Sequence, residues 1–194
     1  MNEIAQAKNE GRVFVYLDET NFAKRAITLT EWSAKNSNLT VDQEDVHVGF
    51  RNVIAAMTEE QGIVHVRIQP ETVDSFDFVE YLKKMSQKLG EVPIALFMDN
   101  ASIHKSKDVK PWYPESDIKP VFNVAYSPEF NPIEAVFSKV KSLFNHSRLN
   151  ALVNKKGFNF DNEIKKAFKA IKADHCSACV RKSYYLLEKA ALKY

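Results

Sequence analysis

The amino-acid sequence predicts an α/β fold, with a mixed central sheet covered by helices on both faces. Three observations predict it. Val92–Met98 is an almost unbroken apolar run, as in a strand buried on both faces. Val46–Met57 and Ile63–Ile68 alternate or cluster apolar residues on either side of Thr58-Glu-Glu-Gln-Gly62, a hairpin signal with Gly62 in the turn. Asn131–Phe144 carries Ile133, Val136, Phe137, Val140, Leu143 and Phe144 as one apolar stripe at helical spacing.

The other elements follow in chain order. Arg12–Leu17 is short, β-branched and aromatic, and reads as a strand, after which a polar, irregular stretch runs through Thr40. Val73–Leu89 repeats apolar residues at helical spacing and stops at Gly90. Ile118–Val124 is another short strand. The Asn131 helix has a capping residue and Pro132 in its first turn. Phe160–Ala173 and Cys176–Leu192 read as two further helices with Lys-rich outer faces. At 194 residues with no repeat or linker, positions 1–194 are expected to form one domain, with a core at about 12–146 and C-terminal basic helices at about 158–193.

Composition narrows the function classes. No apolar run approaches the ~20 residues of a membrane span, so no membrane association is expected. The first ten residues lack the apolar core of a signal peptide, so secretion is not expected. Two cysteines cannot build a disulfide framework, which suits a reducing compartment. The net charge of +2 hides an asymmetry. Residues 1–100 hold 10 Lys/Arg and 16 Asp/Glu, or −6, and residues 101–194 hold 17 and 9, or +8. A basic half suits a polyanion such as nucleic acid, although Lys-rich helix faces are also simply solvated.

Two strands run into aspartates. Val13–Leu17 leads to Asp18-Glu19, and Ile94–Met98 to Asp99-Asn100. Residues just past the carboxyl ends of neighbouring parallel strands meet where α/β sites form, and two aspartates there call for a divalent cation between them. Each Asp can equally cap a turn. Glu134 is the third acid. With Asn131 as the cap, it falls where a capping box would place a glutamate for structural reasons alone.

Asp18-Glu19-Thr20, Asp99-Asn-Ala-Ser-Ile-His104 and Tyr126-Ser-Pro-Glu-Phe-Asn-Pro-Ile-Glu134 together resemble the signature blocks of Tc1/mariner and IS630-type transposase catalytic domains, members of the DDE superfamily. The 34 residues between Asp99 and Glu134 match the Tc1 branch. The resemblance covers about Arg12 to Phe144. It implies an RNase H-like fold with a mixed five-stranded sheet, and Asp18, Asp99 and Glu134 as catalytic ligands of two Mg²⁺ ions, Mn²⁺ substituting. The implied activity is DNA strand cleavage and strand transfer, with transposon ends and target DNA as partners. A nuclease that cuts without joining, or an inactive derivative that binds DNA or protein, would share the fold.

Further residues carry weaker expectations. Glu19 should turn away from Asp18 by strand alternation, toward a salt bridge. Asn100, His104 and Lys105, with Lys107 and Lys110 beyond, could line a DNA path. A solvent-facing or loop-orienting His104 fits equally well. Lys139 and Lys141 project from the Glu134 helix, and 13 basic against 4 acidic residues follow Ala135, suiting phosphate contacts. His175-Cys176-Ser-Ala-Cys179 lacks a second ligand pair for zinc, and its cysteines suit a helix core. Only 17 residues precede Asp18, too few for the helix-turn-helix modules of related transposases. The sequence is then either a catalytic-domain fragment or a standalone protein whose end recognition comes from a partner or has been lost, and a homodimer is compatible with it. Nuclear placement is expected in a eukaryotic host and cytoplasmic placement in a prokaryote.

Overall fold

The computed structural model describes residues 2–23 and 50–192. Of the stretch expected to be irregular through Thr40, residues 18–22 instead extend a strand, and residues 24–40, with the first residues of the Val46–Met57 run, lie outside the described residues. The chain opens with helix α1 (Asn2–Asn9), then strand β1 (Val13–Phe22), the hairpin β2 (Arg51–Thr58) and β3 (Gly62–Gln69), and helix α2 (Ser75–Leu89). Strand β4 (Ile94–Met98), the short helix α3 (Trp112–Glu115) and strand β5 (Ile118–Phe122) follow. Helices α4 (Pro132–Val153), α5 (Phe160–Lys169) and α6 (Ala173–Ala191) complete the fold. Single 3₁₀ turns at Ser102–Lys105 and Pro128–Phe130 connect β4 to α3 and β5 to α4.

The strands form one five-stranded sheet in the order β3-β2-β1-β4-β5. β1 pairs antiparallel with β2 and parallel with β4, and β4 pairs parallel with β5. The mixed sheet is the one expected. Strand alternation then sorts the core into two clusters. Val15 and Leu17 of β1, with Ile94, Leu96 and Met98 of β4, pack against Phe78, Tyr81, Leu82 and Met85 of α2. Tyr16, Ala95 and Phe97 point the other way, toward Ile133, Val136, Phe137, Val140 and Phe144 of α4 and the apolar faces of α5 and α6.

Local chemistry sets the element ends. Asp74 caps α2 by accepting from the Asp77 amide at 2.8 Å, and Gly90, at φ 82°, closes it in a left-handed turn that lacks a Cβ penalty. β5 stops at Phe122, two residues earlier than expected, because the Asn123 side chain takes over the backbone groups that follow. Pro120 is tolerated there because β5 is an edge strand. α4 runs nine residues beyond the expected Phe144, since the buried Arg148 continues its stripe one turn on and Ser147 Oγ donates to Glu163 of α5 at 2.6 Å. α1 has no counterpart in the sequence expectations. Its Ala7 is fully buried against the α4-side cluster. Cys176 and Cys179 are buried in that same cluster, and burial first of all pushes the Cys176 thiol up to about 11, so it stays protonated and unreactive.

Candidate active site

Register sets Asp18 and Asp99 level on neighbouring strands, and Glu134 begins the helix that covers the Asp18 face. In the parallel pair, Val13 lies opposite Ile94 and Tyr16 opposite Phe97. Continuing that offset sets Asp18 level with Asp99, just past the last paired residues. Neighbouring strands run ~4.8 Å apart, so the two carboxylates start as close neighbours. Asp18 is nevertheless not at a strand end as expected: β1 continues to Phe22 by pairing with β2, with Asp18 opposite Ala55. Asp18 shares the face of Tyr16, which is the face α4 covers, and Glu134 stands in the first turn of α4.

Asp18 is half-buried and held from both sides. One carboxylate oxygen accepts from the Glu19 amide at 2.8 Å and the other from Asn131 Nδ2 at 3.1 Å. Burial pushes its carboxyl up to about 7, and the negative fields of Glu19, Glu134 and Asp99 push in the same direction. Burial, and after it the field of Asp99, also raises Glu134, while Lys141 opposes this. The three acids therefore sense one another electrostatically.

Asn131 departs from the capping-box expectation. Its side chain makes no bond to the helix end. It points instead into the sheet, where Nδ2 also donates to the Leu17 carbonyl at 3.1 Å. Its own amide is taken by the Pro128 carbonyl at 2.9 Å, so Glu134 has no reciprocal cap to make. The start of α4 is thus tied to Asp18, and the Glu134 carboxylate is not spent on capping.

Asp99 is held differently. Oδ1 accepts from the Ala101 amide at 2.9 Å and faces His104 Nδ1 at 3.0 Å. His104 is fully buried, with Nε2 3.1 Å from Glu19 Oε1 and its ring 4.6 Å from that of Phe78. Burial disfavours its charge, but hydrogen bonds to Asp99 and Glu19 win and lift its pKa to about 10. The same His104 bond, more than any other influence, holds the Asp99 carboxyl below its usual range. His104 is therefore not the solvent-facing residue that was one expectation, and with both ring nitrogens engaged it braces the loop after Asp99 rather than lining a DNA path. Glu19 turns to the face opposite Asp18 and forms a salt bridge, as alternation required.

The remaining residues take mixed places. The Asn100 amide donates to the Asn123 carbonyl and accepts from Lys105 Nζ, so Asn100 braces the loop more than it offers free donors. Lys105 is exposed and stands 4.3 Å over the Phe122 ring. Lys139 is exposed, while Lys141 lines an open groove of about 680 Å³ along α4 with Glu134, Ser138, Ser142, Asn145 and His146. Asp18 and Asp99 are not among the walls of that groove.

The donor set fits a hard divalent cation in kind: three carboxylates, two of them raised by burial and by mutual repulsion. The cage is not closed, since among the described residues no three His, Cys, Asp or Glu are placed to hold a metal ion. Sequence reasoning missed the sheet-facing Asn131 and the buried His104 bridge. Strand alternation at Glu19 was the only signal for the latter, because Glu19 and His104 are 85 residues apart.

Comparisons with known proteins agree with this fold. The chain superimposes on the pre-cleavage Mos1 transpososome with a TM-score of 0.65 at 14% identity, covering 99% of this chain and 59% of that one. For the Mos1 transposase paired-end complex with left transposon end, the values are 0.66, 16%, 99% and 59%. For the Mos1 transposase catalytic domain with Raltegravir and Mn, they are 0.60, 14%, 93% and 82%. This chain thus spans about three fifths of the transposase chains in the larger assemblies, and at these identities the likeness establishes the shared RNase H-like fold. No curated protein matches the sequence. Residues 13–153, more than two thirds of the chain, match the family described as DDE superfamily endonuclease, and the chain belongs to that family.

Proposed function

We propose that this chain cuts DNA strands and joins them to new ends, as a transposase catalytic domain acting on transposon-end and target DNA. The proposal is supported by the level register of Asp18 and Asp99 and by the electrostatic influence of Asp99 and Glu134 on Asp18 and of Asp99 on Glu134. In this proposal the three carboxylates hold two Mg²⁺ ions, with Mn²⁺ as a substitute. Bound there, the ions would supply charge neutralisation at the scissile phosphate and at its attacking and leaving oxygens.

The chain's own residues do the positioning. Asn131 and the Glu19 amide fix the rotation of the Asp18 carboxylate, and His104 with the Ala101 amide fixes that of Asp99. Only one Asp99 oxygen is engaged in these bonds, and the side chain is half exposed. Lys141, beside Glu134, and Lys105, on the Asn100 loop, offer cations to a passing backbone. A separate module or partner would recognise the element's ends, and a second copy of the chain would pair two ends.

A nicking and joining assay on supercoiled plasmid with Mg²⁺ or Mn²⁺ tests the proposal. The wild-type chain should give nicked and joined products, and Asp99→Ala should lose at least about 10³-fold in rate, as expected when electrostatic stabilisation at the reacting centre is removed. Equal rates would refute the assignment, and nicking without joining would reduce it to a nuclease.

A further inference from the structure

The loop between β5 and α4 is fastened to the site at both ends. At its start, the Asn123 carbonyl accepts from Asn100, the neighbour of Asp99. The Asn123 side chain then clamps the loop on itself, with Oδ1 accepting from the Val124 amide at 2.8 Å and Nδ2 donating to the Ser127 carbonyl at 2.7 Å. At its far end, Asn131 donates to Asp18.

Between these anchors the Ser127 amide bonds the Val124 carbonyl at 3.3 Å, closing a turn with Tyr126 in its third position at φ 59°. That conformation suits Gly or Asn. Glu91, Asp117 and Lys155 also have positive φ, but they are charged residues that follow the ends of α2, α3 and α4. Tyr126 is aromatic and fully exposed, and it makes no side-chain hydrogen bond or ring contact among the described residues. Val124 beside it is also exposed. A strained, clamped turn thus holds an aromatic ring out in water, where it does nothing for the core.

We infer that Tyr126 is a stacking platform for an unpaired nucleobase of the strand whose phosphate is processed at Asp18, Asp99 and Glu134, an inference that rests on the DNA chemistry proposed above. Three Cα steps of 3.8 Å keep Tyr126 within about 11 Å of Asn123 at the site's rim, a few nucleotide steps along a strand. Every base offers a π-face to an aromatic ring, but only once it has left the duplex stack. Lys105, on the loop braced to the same Asn123 through Asn100, adds positive charge along that rim. The clamps on both sides of Tyr126 hold the ring in place before DNA arrives.

The test uses metal-free binding of two short duplexes by fluorescence, one fully paired and one with a single unpaired 2-aminopurine near a strand end. The wild-type chain should bind the unpaired duplex more tightly and quench its 2-aminopurine. Tyr126→Asn, which keeps a residue suited to the turn, should lose about 5- to 100-fold of that preference, the range of one base stack. Its binding to the paired duplex should not change, and its thermal midpoint should stay or rise as the strained turn is relieved. Tyr126→Phe should retain the preference and Tyr126→Trp should match or exceed it. Equal binding of both duplexes by wild type and Tyr126→Asn would overturn the stacking role while leaving the DNA reading intact. Failure of the wild type to bind either duplex would overturn both.

Discussion

Asp18 and Asp99 stand level on neighbouring strands, yet their surroundings drive them in opposite directions. Asp18 has only neutral hydrogen-bond donors, and burial pushes it up to about 7. Asp99 has a buried imidazolium at 3.0 Å and is pulled down. Two like residues at one register level therefore hold different reserves: Asp99 is already satisfied, whereas Asp18 carries charge that the apo fold does not compensate. An arriving cation would relieve Asp18 far more than Asp99.

The sharpest break of this contrast is a pair of neutralising substitutions, read as apo stability by denaturant melts. Asp99→Asn should lose about 2–3 kcal/mol at pH 8, because it leaves the His104 charge buried with one partner fewer. Asp18→Asn should gain about 1–2 kcal/mol at the same pH, because it removes a poorly compensated charge, minus one bond to Asn131 or Glu19. Destabilisation by both would dissolve the contrast.

The pH dependence follows in sign. Asp18 is raised from 3.8 to about 7, so its contribution is fully present below about pH 4 and is lost as pH rises through 7. His104 is raised from 6.5 to about 10, so its contribution is complete below 6.5 and is lost as pH rises through 10. Both act in one direction, but His65, lowered to about 4 first of all by burial, opposes Asp18 up to pH 6.5. The metal-free midpoint should therefore change little from pH 5 to about 6.5 and fall from there to pH 9. Asp18→Asn should leave the lower half of that profile rising with pH, and His104→Gln should flatten the upper half.

A smaller effect separates Asn131 from an ordinary cap. Asn131→Ala should cost about 1–2 kcal/mol, because the buried Leu17 carbonyl loses its donor, while Asn131→Ser, a good cap, should not restore it. Full recovery by serine would return Asn131 to a capping role. Least of all, Lys141→Gln should raise the Glu134 titration, followed by carboxylate NMR, by a few tenths of a pH unit, as exposed charges do.

Much of this was legible in the sequence, for identifiable reasons. Continuous apolar runs fixed β4, and periodicity fixed α2 and α4, because burial writes those patterns directly. The level placement of Asp18 and Asp99 was legible only in outline, since register depends on a partner strand about 80 residues away. Asn131 satisfied the capping rule so well in sequence that its turn toward Asp18 left no trace. His104 read as a polar loop residue, and its complete burial arises from Phe78, Glu19 and Tyr113, which converge only in the fold. α1 is short and polar in composition, and it is fixed by contacts of Ala7, Ile4 and Lys8 that exist only in the fold.

The central claim is that Asp18, Asp99 and Glu134 bind divalent cations together. The most direct measurement is the thermal midpoint of the wild type, Asp18→Asn, Asp99→Asn and Glu134→Gln during titration with Mg²⁺ or Mn²⁺. A saturable rise is expected for the wild type, worth about 2.7 kcal/mol at a hundred times the dissociation constant, and each substitution should abolish it. A wild-type midpoint unmoved by either metal, or a rise that all three substitutions leave intact, would contradict the account.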